Sequence, residues 1–121
     1  ITFDTANDVI VTTKHINSKT KKVGDATKTS TSQFTLDTFA HASFRAARYI
    51  IAMKEGTNFH STEVMLVHDG SVVTLTAYGT LKDTTLATID ADISGSDVRL
   101  LVTPASANST VIKFDRTLVD A

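Results

Sequence analysis

Apolar residues in the second half of the chain recur at every second position. Residues 86–93 set Ala87, Ile89, Ala91 and Ile93 on one side and Thr88, Asp90 and Asp92 on the other, the period of a half-buried antiparallel strand. Ser94-Gly95-Ser96-Asp97 turns the chain and residues 98–103 return as a strand. After a longer loop from Pro104 to Ser109, residues 110–119 close the fold with Ile112, Phe114 and Leu118 on one side. Upstream, Asp69-Gly70 accepts positive φ at both positions and predicts a two-residue type I′ hairpin that pairs residue 68 with residue 71. That register puts Val64, Leu66, Val73, Leu75 and Ala77 on a core face, and Phe59, Met65, Val67, Val72 and Tyr78 on the opposite face.

Residues 34–54 fit two periods. Ala40, Phe44, Ala47, Arg48 and Ile51 follow helical spacing, with Gly56 placed to end a helix. The same stretch alternates Phe44, Ala46, Ile50 and Ala52 with Arg45, Ala47, Tyr49, Ile51 and Met53, as in a strand apolar on both faces. Periodicity by itself favours the helix. Residues 1–33 are polar apart from one β-branched stretch at 8–13. Their lysines (Lys14, Lys19, Lys21, Lys22, Lys28), Gly24-Asp25 and a Thr/Ser cluster bury little. The chain thus divides into an N-terminal arm or linker, 1–33, and one domain, 34–121.

Composition supports strands over helices. A chain of 121 residues holds one domain with a real core, and its abundant Thr suits half-buried pleated surfaces. Strands arriving every ten or so residues with turn signals between them predict an all-β fold, an antiparallel, jelly-roll-like sandwich with an extended N-terminal arm. The net charge of −1 supplies no field to draw nucleic acid, and no aromatic residue interleaves with the arm's lysines to stack on bases. The absence of Cys removes disulfides, thiolate metal sites and a Cys nucleophile. No apolar run nears the roughly 20 residues of a membrane helix, so membrane insertion is not expected. An opening at Ile1 fits a domain cut from a longer protein or a processed product.

No motif specifies a reaction or a cofactor. Asp90, Asp92 and Ser94 before Gly95 match the start of an EF-hand loop, but Leu101 stands where the bidentate Glu is needed and Asp97 where an apolar residue is usual. His15, His41, His60 and His68 share no chelating spacing, and each is expected at a surface or an interface. Ser94-Gly95-Ser96 lacks the Gly-x-Ser-x-Gly context of a nucleophile elbow. Paired carboxylates for glycoside hydrolysis leave no sequence signature. Arg45, Arg48, Arg99 and Arg116 lie in apolar strands, where each either covers its neighbours with its stem or pairs with Asp90, Asp92, Asp97 or Asp115 across strands or subunits.

The segments Phe44-Arg45-Ala46-Ala47-Arg48-Tyr49, His68-Asp69-Gly70 and the run from Ala87 to Pro104 resemble a β-sandwich domain of virion structural proteins of tailed phages, particularly marine T4-like cyanophages. The resemblance spans about residues 35–119 and makes the 44–54 stretch a strand. It implies a non-enzymatic assembly module of a tail, neck, baseplate, fibre or head appendage. The location would be the virion, and the partners would be other virion proteins and further copies of the chain, a trimer among the options. Apolar residues on both strand faces make Tyr49, Met53, Phe59, Met65, Val67 and Tyr78 the expected subunit interface, since a two-layer sandwich covers only one face of each sheet. The arm would add a strand to a neighbour's sheet. The rival is a carbohydrate- or receptor-binding sandwich for a host surface glycan. It is weakened by an aromatic content of 7% without Trp, and exposure of Tyr49 and Tyr78 would revive it.

Overall fold

The computed structural model describes residues 2–4, 9–11 and 16–121, with side chains from Ser18 onward. Among these residues all regular elements are strands and all pair antiparallel. β1 (Thr2–Asp4), β2 (Val9–Val11) and β3 (Ile16–Asn17) form a small sheet of their own. The body is a sandwich of two sheets. β4 (Lys21–Lys28), β6 (Phe44–Glu55), β7 (Asn58–His68), β8 (Val73–Lys82) and β11 (Thr110–Asp120) make a five-stranded sheet in the order β4-β11-β6-β7-β8. β5 (Phe34–Ala40), β9 (Ala87–Ser94) and β10 (Asp97–Pro104) make a three-stranded sheet in the order β5-β10-β9. The expected all-β antiparallel sandwich is the fold.

Alternation decides which side of each strand is buried. Along β7, His60, Thr62, Val64, Leu66 and His68 are buried, while Phe59, Met65 and Val67 point out. β6 buries Ala47, Tyr49, Ile51 and Met53, and β11 buries Ile112, Phe114 and Leu118. Against them the smaller sheet sets Phe39, Ala87, Val98, Leu100 and Val102, closing a single core. The helical period in residues 34–54 is overridden. The stretch breaks at residues 41–43, where β5 leaves one sheet and β6 enters the other. β6 is then the central strand, paired along most of its length with both β11 and β7. Ladder hydrogen bonds on two sides outweigh the modest helix propensity of its Ala, Arg, Met and Lys residues.

Two expectations are corrected. The first concerns the hairpin, which pairs His68 with Val73 and not with residue 71. Asp69 accounts for the longer loop: its carboxylate accepts the Ser71 and Val72 amides (2.9 and 2.8 Å), and its own amide donates to the Val72 carbonyl (3.2 Å). These amides hold the Asp69 carboxyl below its usual range. A slip of two residues preserves the faces, so Leu66 and Leu75, now opposite each other, pack on the inner side, while Ala77, opposite Val64, is exposed beyond the edge of the core. Farther along β8, a bulge at Gly79 (φ 61°) and Thr80 sets both residues opposite Thr62.

The second correction concerns the arm. Residues 21–28 belong to the sandwich as β4, in register with β11 from Lys21 opposite Thr117 to Lys28 opposite Thr110. The strand addition expected onto a neighbour is made within the chain. Gly24 permits it, because a side chain there would meet the Phe114 ring at 2.6 Å. Lys21 reaches Asp115 (3.1 Å), and the Lys28 ammonium lies 4.6 Å from the centre of the Phe34 ring.

Candidate interaction surface

The outer faces of the two sheets differ in chemistry. On the three-stranded sheet, Thr35 and Thr38 of β5, Arg99 and Thr103 of β10, and Thr88, Asp90 and Asp92 of β9 face outward, and the one large apolar residue there, Leu101, is buried. Arg99 and Asp92 sit directly opposite each other and close a bidentate pair, Nε to Oδ1 at 2.8 Å and Nη2 to Oδ2 at 2.5 Å. Hydrogen bonding to the guanidinium holds the Asp92 carboxyl below its usual range and raises Arg99. Asp92 is thus engaged away from any EF-hand geometry, and Asp90 points outward from the same strand. No group of three or more His, Cys, Asp or Glu among the described residues is placed to hold a metal.

The five-stranded sheet presents the opposite character. Eight large apolar side chains are exposed among the described residues, and all lie on its outer face or rim: Val23, Ile50, Phe59, Met65, Val67, Val72, Leu81 and Val119. Ile50, 45% exposed, sits in the central strand in a cross-strand row with Val23, Asp115, Glu63 and Tyr78. Met65, Val67 and Ala46 border a shallow hollow of about 280 Å³ near one end of the face, and Ala52, Lys54, Val111 and Lys113 border another of about 350 Å³ near the other. Charges are interspersed: Lys21, Arg48, Lys54 and Lys113 against Asp25, Glu63 and Asp115. Two pairs close within the face, Lys21 with Asp115 and Arg48 with Glu63 (2.7 Å), and the latter hydrogen bond raises the Arg48 pKa.

Of the expected interface residues, Phe59, Met65 and Val67 are on this face and about half exposed, and Tyr78 is half-buried there opposite Glu63. Tyr49 and Met53 are not. Their odd-numbered positions on β6 point inward, and both side chains are buried in the core.

Tyr49 belongs to a polar node that the sequence reading missed. Asp37, fully buried on β5, accepts hydrogen bonds from Tyr49 Oη (2.8 Å), Arg116 Nη1 (2.9 Å) and Lys22 Nζ (2.9 Å), which ties the three-stranded sheet to β6, β11 and β4. Burial, with the Asp37 charge second, pushes the Tyr49 phenol far above its usual range. Arg116 also reaches the Lys19 carbonyl at 3.3 Å. Its partner is therefore a buried interlayer carboxylate and none of the surface aspartates expected for it. Arg45 donates to the His68 carbonyl at 3.2 Å. The only hint of the node in sequence is an Asp between Leu36 and Phe39, two residues that pack in the core.

Two histidines expected at a surface or an interface are buried inside the sandwich instead. His68 Nδ1 accepts the Gly70 amide (3.0 Å), which leaves Nε2 to donate to the Phe44 carbonyl (2.6 Å). His60 Nδ1 accepts the Leu86 amide (3.1 Å). Burial, helped by the Lys82 charge, lowers its pKa. His41 is half-buried, its ring centre 6.0 Å from that of His68. His15 and Lys14 lie outside the described residues. Ser94 and Gly95 end β9 in a plain hairpin with β10.

No protein-family model matches the chain, and no curated protein sequence matches it. Solved structures similar to it include three phage tailspikes. The tailspike of Acinetobacter baumannii phage AM24 overlaps 84% of this chain and 26% of its own, with 12% identity and a TM-score of 0.49. That of Acinetobacter phage vB_ApiP_P1 overlaps 93% and 24%, with 16% identity and 0.49. The tailspike of Acinetobacter baumannii phage Fri1, a capsular polysaccharide depolymerase, overlaps 84% and 20%, with 15% identity and 0.35. The chain spans about a quarter of each protein or less, and these neighbours give the T4-like marine affiliation no support.

Proposed function

We propose that the chain is a non-enzymatic structural module of a phage virion that meets other subunits through the outer face of its five-stranded sheet. The observation that carries this reading is the confinement of every exposed large apolar residue among the described ones to that face and its rim, while the other outer face is polar. Apolar surface gathered in this way marks a contact more than a reaction. The residue-level resemblance of residues 44–49, 68–70 and 87–104 to virion sandwich domains supports the same reading. So does the engagement of His60 and His68 with backbone groups inside the sandwich, where they serve structure. The tail, neck, baseplate, fibre or head appendage is then its place. Quantitative mass spectrometry of purified particles of the encoding phage is expected to find the chain at a fixed stoichiometry with other virion proteins. Its absence from particles overturns the reading.

A second reading, a host-glycan-binding module, draws on Phe59, which is 53% exposed on the same face, with Tyr78 half-buried there. Saturable binding of host surface polysaccharide, abolished in Phe59→Ala, would select it over assembly.

A further inference from the structure

We infer that the occupant of the five-stranded sheet's outer face is a second copy of the same chain, packed sheet against sheet. The inference rests on the assembly reading above and adds the partner and the contact. Size is the first argument. Five strands spaced at about 4.8 Å and some eight residues rising about 3.4 Å each give a face of roughly 25 by 30 Å, on the order of 700 Å². That is close to the roughly 800 Å² each partner contributes to a stable interface.

Charge is the second. The face mixes four cations with three carboxylates and closes Lys21 with Asp115 and Arg48 with Glu63 internally. A polyanion or a membrane surface selects a field of one sign, which this face lacks. A copy of itself offers the same mixture of signs, and the two carboxylates flanking Ile50, Asp115 and Glu63, are each paired with a cation of their own face. Placement is the third. Ile50 stands on the middle strand in the middle row, and apolar residues reach both ends, Val67 and Val119 at one and Phe59 and Leu81 at the other. A two-fold axis near Ile50 brings this patch onto itself, as an isologous contact requires. The hollows beside Met65 and Ala52 then receive side chains of the facing sheet, in the way aligned sheets interdigitate about 10 Å apart.

Light scattering on the 121-residue chain is expected to give twice the chain mass at micromolar concentration. Ile50→Lys and Met65→Lys should each weaken pairing by about a hundredfold or more, since a lysine head is forced into apolar contact, with the strand signature in circular dichroism unchanged. Thr38→Lys, on the polar outer face, should pair like the parent. A monomeric parent, or a mass of three or more chains, overturns the inference, as do face variants that remain paired.

A probe that leaves the fold intact runs beside it. The chain has no cysteine, so Ile50→Cys and Thr38→Cys each carry a single thiol. The thiol at 50 should react slowly with a maleimide when the chain is concentrated and quickly when it is dilute, while the thiol at 38 reacts quickly at both. Equal rates at 50 overturn the contact. A monomeric chain that is stoichiometric in particles defeats this inference and leaves the module reading standing. A pair absent from particles does the reverse.

Discussion

The two outer faces of the sandwich are built on the same pleat from strands of the same protein, yet only one is finished for water. On the three-stranded sheet, threonines and the Arg99–Asp92 pair occupy the outward positions. On the five-stranded sheet the outward positions hold Ile50, Met65, Val67 and Phe59 between the charges. The cores beneath do not explain this, since both sheets supply aliphatic residues to one continuous cluster. The difference teaches that alternation reports which residues leave the core, whereas their polarity reports what they meet outside it.

The largest expected effect comes from unlocking one sheet from the other. Asp37→Ala strands Arg116 without its carboxylate in the interlayer space and should destabilise the fold by about 3–5 kcal/mol in denaturant melts. A loss no larger than that of an exposed substitution would mean the node is solvated. Next come adjacent residues of β7 with opposite fates. Leu66→Ala should cost about 2–5 kcal/mol because it opens a cavity, and Val67→Ala well under about 1 kcal/mol in the unpaired chain, because Val67 already faces out. Equal losses would show that the two sides of the sheet are not inner and outer.

A smaller effect is expected at the edge of the same sheet. Gly24→Ala forces the buried Phe114 ring to shift, with a cost of about 1–3 kcal/mol seen in the melting midpoint. His60 supplies a pH dependence. Burial lowers its pKa in the folded chain, so the unfolded chain binds the proton more readily. Stability is therefore whole above the unfolded value of about 6.5 and declines as pH falls below it. His60→Gln, measured between pH 7.5 and 5, should flatten that decline, and an unchanged slope would assign it to other groups. The smallest effect expected is none: EDTA should leave the melting midpoint where it was, because Asp92 is taken by Arg99. A drop of several degrees would restore a cation site around Asp90 and Asp97.

Much of the sandwich is legible in the sequence, because β9 alternates Ala87, Ile89, Ala91 and Ile93 with Thr88, Asp90 and Asp92, Ile112, Phe114 and Leu118 recur on one side of β11, and the hairpin fixes which side of β7 turns inward. The same parity places His60 and His68 with Val64 and Leu66, so their burial follows from a rule that the expectation of surface histidines set aside. β6 is not legible from period alone, since its Ala, Arg and Met residues suit a helix and only pairing on both sides makes it a strand. β4 hides for another reason. It is an edge strand rich in lysine, and the value of Gly24 depends on a ring some ninety residues away. Asp37 is hidden too, since a buried carboxylate is recognisable only through partners on other strands. The interaction face was half legible. Met65, Val67 and Phe59 follow from the hairpin, while Ile50, Val23 and Val119 join them only once the order β4-β11-β6-β7-β8 is known.

The bulge at Gly79 and Thr80 bears on whether the larger sheet can be extended at its β8 edge. β8 is the outermost strand of the larger sheet, and a neighbour seeking to extend that sheet would have to match its backbone groups along the free side. The extra residue throws the hydrogen-bonding phase out of step partway along the strand and sharpens the local twist. A strand added along β8 would therefore lose its register with the sheet at Gly79 and Thr80, which protects this rim from edge-to-edge pairing.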